Sequence, residues 1–262
     1  LCTIVEIDGS FSRRLGAQLA VAPDGTVTGS LADGCLEKQL AIEVLSGGER
    51  RVMRFGAGSP IIDFRLPCGS GLDILVDPAP DHAACVAVLE GLGERREASL
   101  ALPQGPLPVR HFVPSLRLVL FGEGPELDAL AMLGRASGLT VETFSKDGAD
   151  GLSLGRAPGG IEVDRWTAVI LLFHDHEWEQ AILQWALETP AFFIGAQGGK
   201  PAREERRERL LAAGVSEAQI ARIASPIGVV QHSREPVALA LSILASVVGA
   251  YEAIHPHART KR

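Results

Sequence analysis

The chain has 262 residues, 46% of them hydrophobic and 22% charged, with a formal net charge of -7. That composition suits a globular protein with a real core and excludes a disordered or collagen-like chain. The acidic balance argues against a nucleic-acid binder, and the arginines from Arg203 to Arg209 alternate with Glu204, Glu205 and Glu208, which reads as a solvated helix face.

In chain order, Cys2 to Ile7 alternates β-branched and polar residues and predicts a strand, already under way so early that the native start is expected upstream. No signal peptide is visible. Ala17 to Val21 and Thr26 to Ser30 flank the turn residues Pro23-Asp24-Gly25 and predict a hairpin. A helix is expected from Leu36 to Leu45, then strands at Arg51 to Phe55 and Leu72 to Val76, a helix from His82 to Leu92 and a strand from Ala98 to Leu102. The stretch 103–115, with four prolines, reads as a linker between a domain at 1–102 and another at 116–262.

Beyond it the pattern changes to strand, helix, strand. Strands are expected at Leu116 to Phe121, Leu139 to Phe144, Thr167 to Phe173 and Ala191 to Ile194. Helices are expected up to about Ser137, at Glu177 to Leu187, Ala202 to Ala213 and Glu235 to Ala250. The fold class is therefore α/β: a β-rich α+β domain followed by a Rossmann-like, doubly wound parallel sheet. The apolar run Val237 to Ala250 falls short of the ~20 residues that span a bilayer. It reads as a helix buried on the sheet or at a homodimer contact, with no membrane role.

Gly122-Glu123-Gly124 between a strand and a helix is the first half of a dinucleotide fingerprint, with Leu127 in place of its third glycine. The bland alternative is an ordinary βα turn. After Phe144 come Ser145 and Lys146 where NAD sites place an acid, so a phosphate suits this edge better than a ribose. His174-Asp175-His176 ends another strand and would face the glycine loop, either toward a ligand or with Asp175 capping the next helix. Lys200, after Gly195 to Gly199, occupies the same edge and suits an anion.

The four cysteines, at 2, 35, 68 and 85, form no CxxC pair and read as reduced thiols of a cytoplasmic protein. Cys2 and Cys85 fall in apolar segments and read as packing residues. Cys35 and Cys68 fall in glycine-containing loops, and a helix N-terminus after Cys35 would favour its thiolate. Arg13 and Arg14 sit in a third loop, where a guanidinium suits a phosphate.

Those loops carry a resemblance. Gly9 to Gly16, Gly34-Cys35-Leu36-Glu37 and Pro67-Cys68-Gly69 resemble, in order and spacing, the N-terminal domain of the XdhC/CoxI family of xanthine dehydrogenase accessory proteins. Gly122 to Pro125, His174 to His176, Ile194-Gly195 and Ser225-Pro226-Ile227-Gly228 resemble the Rossmann domain of the same family. The resemblance implies a binding protein rather than an enzyme, one that holds the molybdenum cofactor (molybdopterin). It would shelter that cofactor during sulfuration, with a cysteine desulfurase as a further partner, and deliver it to a molybdenum hydroxylase of the xanthine dehydrogenase type. It implies Cys35 and Cys68 as metal ligands, and Arg13, Arg14, Gly122, Gly124, His174, Asp175 and Lys200 around the cofactor. A homo-oligomer is expected. Departures from the family pattern are Ser12 before the arginine pair, Ala32-Asp33 before Cys35, and Gly198-Gly199-Lys200 in place of Gly-Ser-Arg. The alternative is an NAD(P)-dependent oxidoreductase using the Rossmann crevice.

Overall fold

The computed structural model describes residues 1–32, 34–60, 69–146, 152–230 and 233–255. Two units separate in it, Leu1–Val113 and a second that starts at Pro114.

The first unit contains β1 (Cys2–Asp8), β2 (Gln18–Val21), β3 (Val27–Gly29), α1 (Cys35–Leu45), β4 (Arg51–Gly56), β5 (Gly71–Val76), α2 (His82–Gly93), β6 (Ala98–Ala101) and β7 (Val109–Phe112). Five strands form an antiparallel sheet in the order β3-β2-β1-β5-β4. The β2–β3 hairpin forms as expected, with the Asp24 carboxylate accepting from Thr26 N–H at 2.9 Å across the turn. One face of the sheet buries Cys2, Ile4, Leu19, Phe55, Leu72 and Ile74 against Leu36 and Leu40 of α1. Strict alternation from Ile4 would bring Glu6 to that face. A bulge between Ile4 and Glu6 shifts the register, and Ile7 joins the core instead. The other face packs Val5 and Leu75 against Val88 of α2 and Leu100 of β6. Within 103–115 the structure differs from an open linker: β7 pairs antiparallel with β6 from Ala98↔Phe112 to Ala101↔Val109. The four prolines lie outside the paired residues, so the ladder loses no donor to them.

The second unit contains β8 (Arg117–Gly122), α3 (Pro125–Ala136), β9 (Thr140–Phe144), β10 (Thr167–Leu172), α4 (Glu179–Glu188), β11 (Phe193–Ala196), α5 (Lys200–Ala212), α6 (Glu217–Ile220), β12 (Ile223–Ala224) and α7 (Pro236–Ile254). Its strands are all parallel, in the order β12-β11-β10-β8-β9. Every residue of β10 is buried because helices cover both faces of the sheet. Leu118, Leu120, Ala168 and Ile170 meet α3 and α7, while Val119, Phe121, Val169 and Leu171 meet α4 and α5. The strand expected at Ala191 to Ile194 starts later, because parallel pairing with β10 begins at Ala168↔Phe193. The short α6 and β12 are additions that periodicity did not signal.

The α7 expectation of burial on the sheet is met on one face of the helix. The helix buries Ala240, Ser242, Ile243 and Val247, but Val237 and Leu241 on its other side are 51% and 53% exposed. It is also longer than the apolar run, and among the described helices it has the length and composition to cross a bilayer. Here its buried face packs with Leu127 and Leu130 of α3.

Candidate functional site

The parallel sheet reverses its strand order between β8 and β10, so its ligand crevice is expected at the carboxyl ends of those strands. Gly122 closes β8 with φ +154°, and a Cβ there would stand 2.5 Å from the carbonyl oxygen of Leu172. Only glycine lets β8 turn away this close to β10. Gly124 caps α3, with Pro125 next and Glu126 and Asp128 in the first turn. Those carboxylates and the missing Pro125 N–H leave the α3 N-terminus a poorer anion site than the glycine pattern suggests.

Three sequence-predicted groups meet across this crevice. His174 Nε2 lies 3.4 Å from Glu126 Oε2, and Asp175 accepts from Glu177 N–H at 3.1 Å while standing 3.8 Å from Lys146 Nζ. Asp175 is thus both a cap and a crevice residue. Lys146 Nζ also pairs with Glu123 Oε1 at 2.8 Å and lies 5.2 Å from the Trp178 ring centroid. It links the loops after β8, β9 and β10. The next histidine points elsewhere: His176 Nδ1 lies 3.1 Å from Glu179 Oε1.

Sequence reasoning missed the centre of this edge. Arg206, read as part of a solvated face, is 6% exposed and pairs with Glu179, which is 1% exposed. Its Nε and Nη2 donate to the two Glu179 oxygens at 2.8 and 3.1 Å, its Nη1 to Ser225 Oγ at 2.9 Å, and its Nη2 also to the Gln197 carbonyl. One guanidinium therefore ties α4, the end of β11 and the turn after β12 together. Seven charged residues in a row gave no sign of which one faces inward. Lys200 stands at the start of α5, 79% exposed, with Glu204 at 3.8 Å.

In the first unit, Cys35 opens α1 behind Gly34, whose φ of +102° makes the turn into the helix. The thiol is exposed. Glu37 folds back on the preceding loop: its carboxylate accepts from Leu31 N–H at 2.8 Å, Ala32 N–H at 2.6 Å and Gly34 N–H at 2.7 Å. Burial alone would raise the Glu37 pKa, but these amide donors outweigh it and hold the carboxyl below its ordinary range. Ser30 Oγ lies 3.2 Å from the same carboxylate and takes a bond from Arg13 Nη2 at 3.3 Å, while Arg13 Nε donates to the Ser30 carbonyl at 3.2 Å. Arg13 and the loop that leads into Cys35 are thereby built into one network, and Glu37, three residues after its cap, was the signal for it. Arg14 is exposed. Arg110 of β7 lies against Gly16 of the same loop, and burial, then the neighbouring Arg14, lower its pKa. Cys68 lies outside the described residues. Cys2 is fully buried and its thiol is pushed up to about 11 by that burial, as suits a packing residue. No group of three or more His, Cys, Asp or Glu with metal-binding geometry exists among the described residues.

Together these features define a two-unit protein: a thiol-bearing antiparallel unit and a Rossmann-type unit with a charged crevice. Residues 1–56 match the XdhC and CoxI family, and residues 118–247 match the XdhC Rossmann domain. The molybdenum cofactor insertion chaperone PaoD of Escherichia coli (strain K12) is 34% identical over 267 residues, which cover 94% of this chain and 81% of PaoD. The chain belongs to the XdhC/CoxI family. A crystal structure from Bacillus halodurans, described as a xanthine dehydrogenase, shares the fold with a TM-score of 0.74 at 20% identity, covering 99% of this chain and 93% of that one.

Proposed function

We propose that this protein binds the molybdenum cofactor as cargo and hands it to a molybdenum hydroxylase of the xanthine dehydrogenase type. The observation that carries the reading is the loop before Cys35: an exposed thiol at a helix N-terminus follows a loop whose backbone Glu37 holds, with Ser30 and Arg13 bonded to the same carboxylate network. A thiolate is a soft ligand suited to a transition metal. Likeness to PaoD across 94% of the chain supports the same cargo. Cys68 joins Cys35 as metal ligand in this reading, and a cysteine desulfurase supplies the sulfuration step. The free thiols fit a reducing, cytoplasmic setting.

A second copy of the chain is proposed to cover the exposed face of α7, where Val237, Leu241 and Val248 present apolar side chains without a charge between them. The NAD(P)-dependent oxidoreductase is the weaker reading. Leu127 replaces the third glycine, Pro125 removes an amide donor, and Glu126 and Asp128 repel a pyrophosphate at α3. Equilibrium titration with molybdopterin and with NAD(P)H separates the two. Saturable molybdopterin binding that weakens in Cys35→Ser supports the proposal, and binding of NAD(P)H alone rejects it.

A further inference from the structure

The connection from β9 to β10 carries Gly155, Pro158, Gly159 and Gly160, and among the described residues no helix forms in it. Leu152, Ile161 and Val163 pack it onto the apolar face that α4 and α5 also cover. Between this connection and the outer strand β9 lies a cavity of about 500 Å³, within the ~300–1,000 Å³ of small-molecule sites. β9 is the second strand of the unit, and in doubly wound folds the end of that strand contacts a nucleoside. The lining groups differ in chemistry. Glu142 has Oε1 3.4 Å from Arg117 Nη1, and its Oε2 has no partner among the described residues. With 39% of its side chain exposed, that carboxylate stays open to a ligand. Phe144 stacks on Phe121, with ring centroids 5.3 Å apart and planes 25° apart, which covers one face of its ring. Arg156 is exposed and has no carboxylate partner among the described residues. Gly159 and Gly160 line the cavity with backbone alone, and φ +73° at Gly160 is a conformation that favours glycine.

We infer that this cavity is a subsite for a phosphorylated 2-amino-4-oxo heterocycle, the ring class that pterins and guanine nucleotides share. Such a ring presents two adjacent N–H donors, and one carboxylate accepts both. Glu142 is that acceptor, steadied by Arg117, while Phe144 supplies a surface for stacking and Arg156 takes the phosphate. Adenine sets a ring acceptor beside its amino group, so it gives Glu142 one bond and opposes an acceptor to the other oxygen. The pterin case deepens the cofactor-carrier reading and rests on it. The guanine case does not.

The whole chain is titrated calorimetrically with 6-hydroxymethylpterin phosphate, guanosine monophosphate and adenosine monophosphate. At least one of the two 2-amino-4-oxo probes is expected to bind saturably, about tenfold tighter than adenosine monophosphate. Glu142→Gln should weaken that probe about tenfold and erase the preference over adenine. Arg156→Gln should weaken the phosphorylated pterin towards the affinity of unphosphorylated 6-hydroxymethylpterin, and Arg209→Gln on α5 should change nothing. Arg156 is exposed, so its variant tests the site even where Glu142→Gln fails to fold. Absence of saturable binding, equal affinity for adenosine monophosphate, or binding unchanged in both cavity variants overturns the inference. Binding of guanosine monophosphate without the pterin sustains the subsite and refutes its use for the cargo. Molybdopterin binding that depends on Cys35 but is unchanged in Glu142→Gln and Arg156→Gln overturns the subsite and leaves the carrier reading standing.

Discussion

Replacing Arg206 with methionine removes the guanidinium that joins three loops of the Rossmann-type unit. The methionine fills similar volume, so the loss is electrostatic and hydrogen-bonding rather than a cavity. Glu179, 1% exposed, would be left buried without its guanidinium partner, with His176 Nδ1 at 3.1 Å from one of its oxygens. Removing one partner of a buried pair costs about 3–5 kcal/mol. The lost bonds to Ser225 and Gln197 keep the expectation in the upper part of that range. All three tryptophans, Trp166, Trp178 and Trp185, lie in this unit, so their fluorescence during urea unfolding reports on it specifically. The double variant Arg206→Met with Glu179→Leu should recover most of the loss, since an apolar pair needs no partner charge. A single variant within about 1 kcal/mol of wild type, the range of exposed ion pairs, would refute the argument that this pair organises the edge.

Other outcomes follow from particular residues. Gly122→Ala should destabilise the second unit by at least about 2 kcal/mol in the same assay, because φ +154° and the Leu172 carbonyl leave no room for a Cβ; a neutral effect would mean the turn relaxes freely. Glu37 has a lowered folded pKa, so its contribution to stability is complete above about pH 4.3 and is lost as pH falls through the folded value. Glu37→Gln should flatten that acid limb in melting temperatures measured from pH 6 to 3, and an unchanged limb would contradict the assignment. In native protein Cys35 should alkylate readily while Cys2 resists until unfolding, as mass spectrometry of iodoacetamide-treated peptides can check. Leu241→Glu should lower the mass measured by sedimentation if a second copy covers α7, and a monomeric wild type would dismiss that contact.

What the sequence made legible was what local chemistry dictates. Pro23-Asp24-Gly25 could only be a turn, and the strand Thr167–Leu172 is apolar because both its faces are covered. Strand ends, Gly122 and His174-Asp175 were read correctly as neighbours, since a parallel sheet with short loops brings its carboxyl ends to one edge. The failures concern which way a side chain faces. In α5, arginines and glutamates alternate so closely that nothing local separates the buried Arg206 from the exposed Arg207, and only Glu179, 27 residues away, decides it. In α7 nearly every residue is apolar, so composition could not reveal that only one side meets α3. The strand Val109–Phe112 was hidden by flanking prolines, which shape the loop around it without entering its ladder.

The most direct measurement follows the cargo itself. The chain is loaded with molybdenum cofactor, freed of excess, and mixed with a molybdenum hydroxylase prepared without its cofactor. Hydroxylase activity and the pterin remaining on the chain are followed together. A cofactor carrier predicts that activity rises as pterin leaves the chain, mole for mole, and faster than with the same concentration of free cofactor. Activation that is no faster than with free cofactor, or a chain that retains no pterin after loading, would contradict the account.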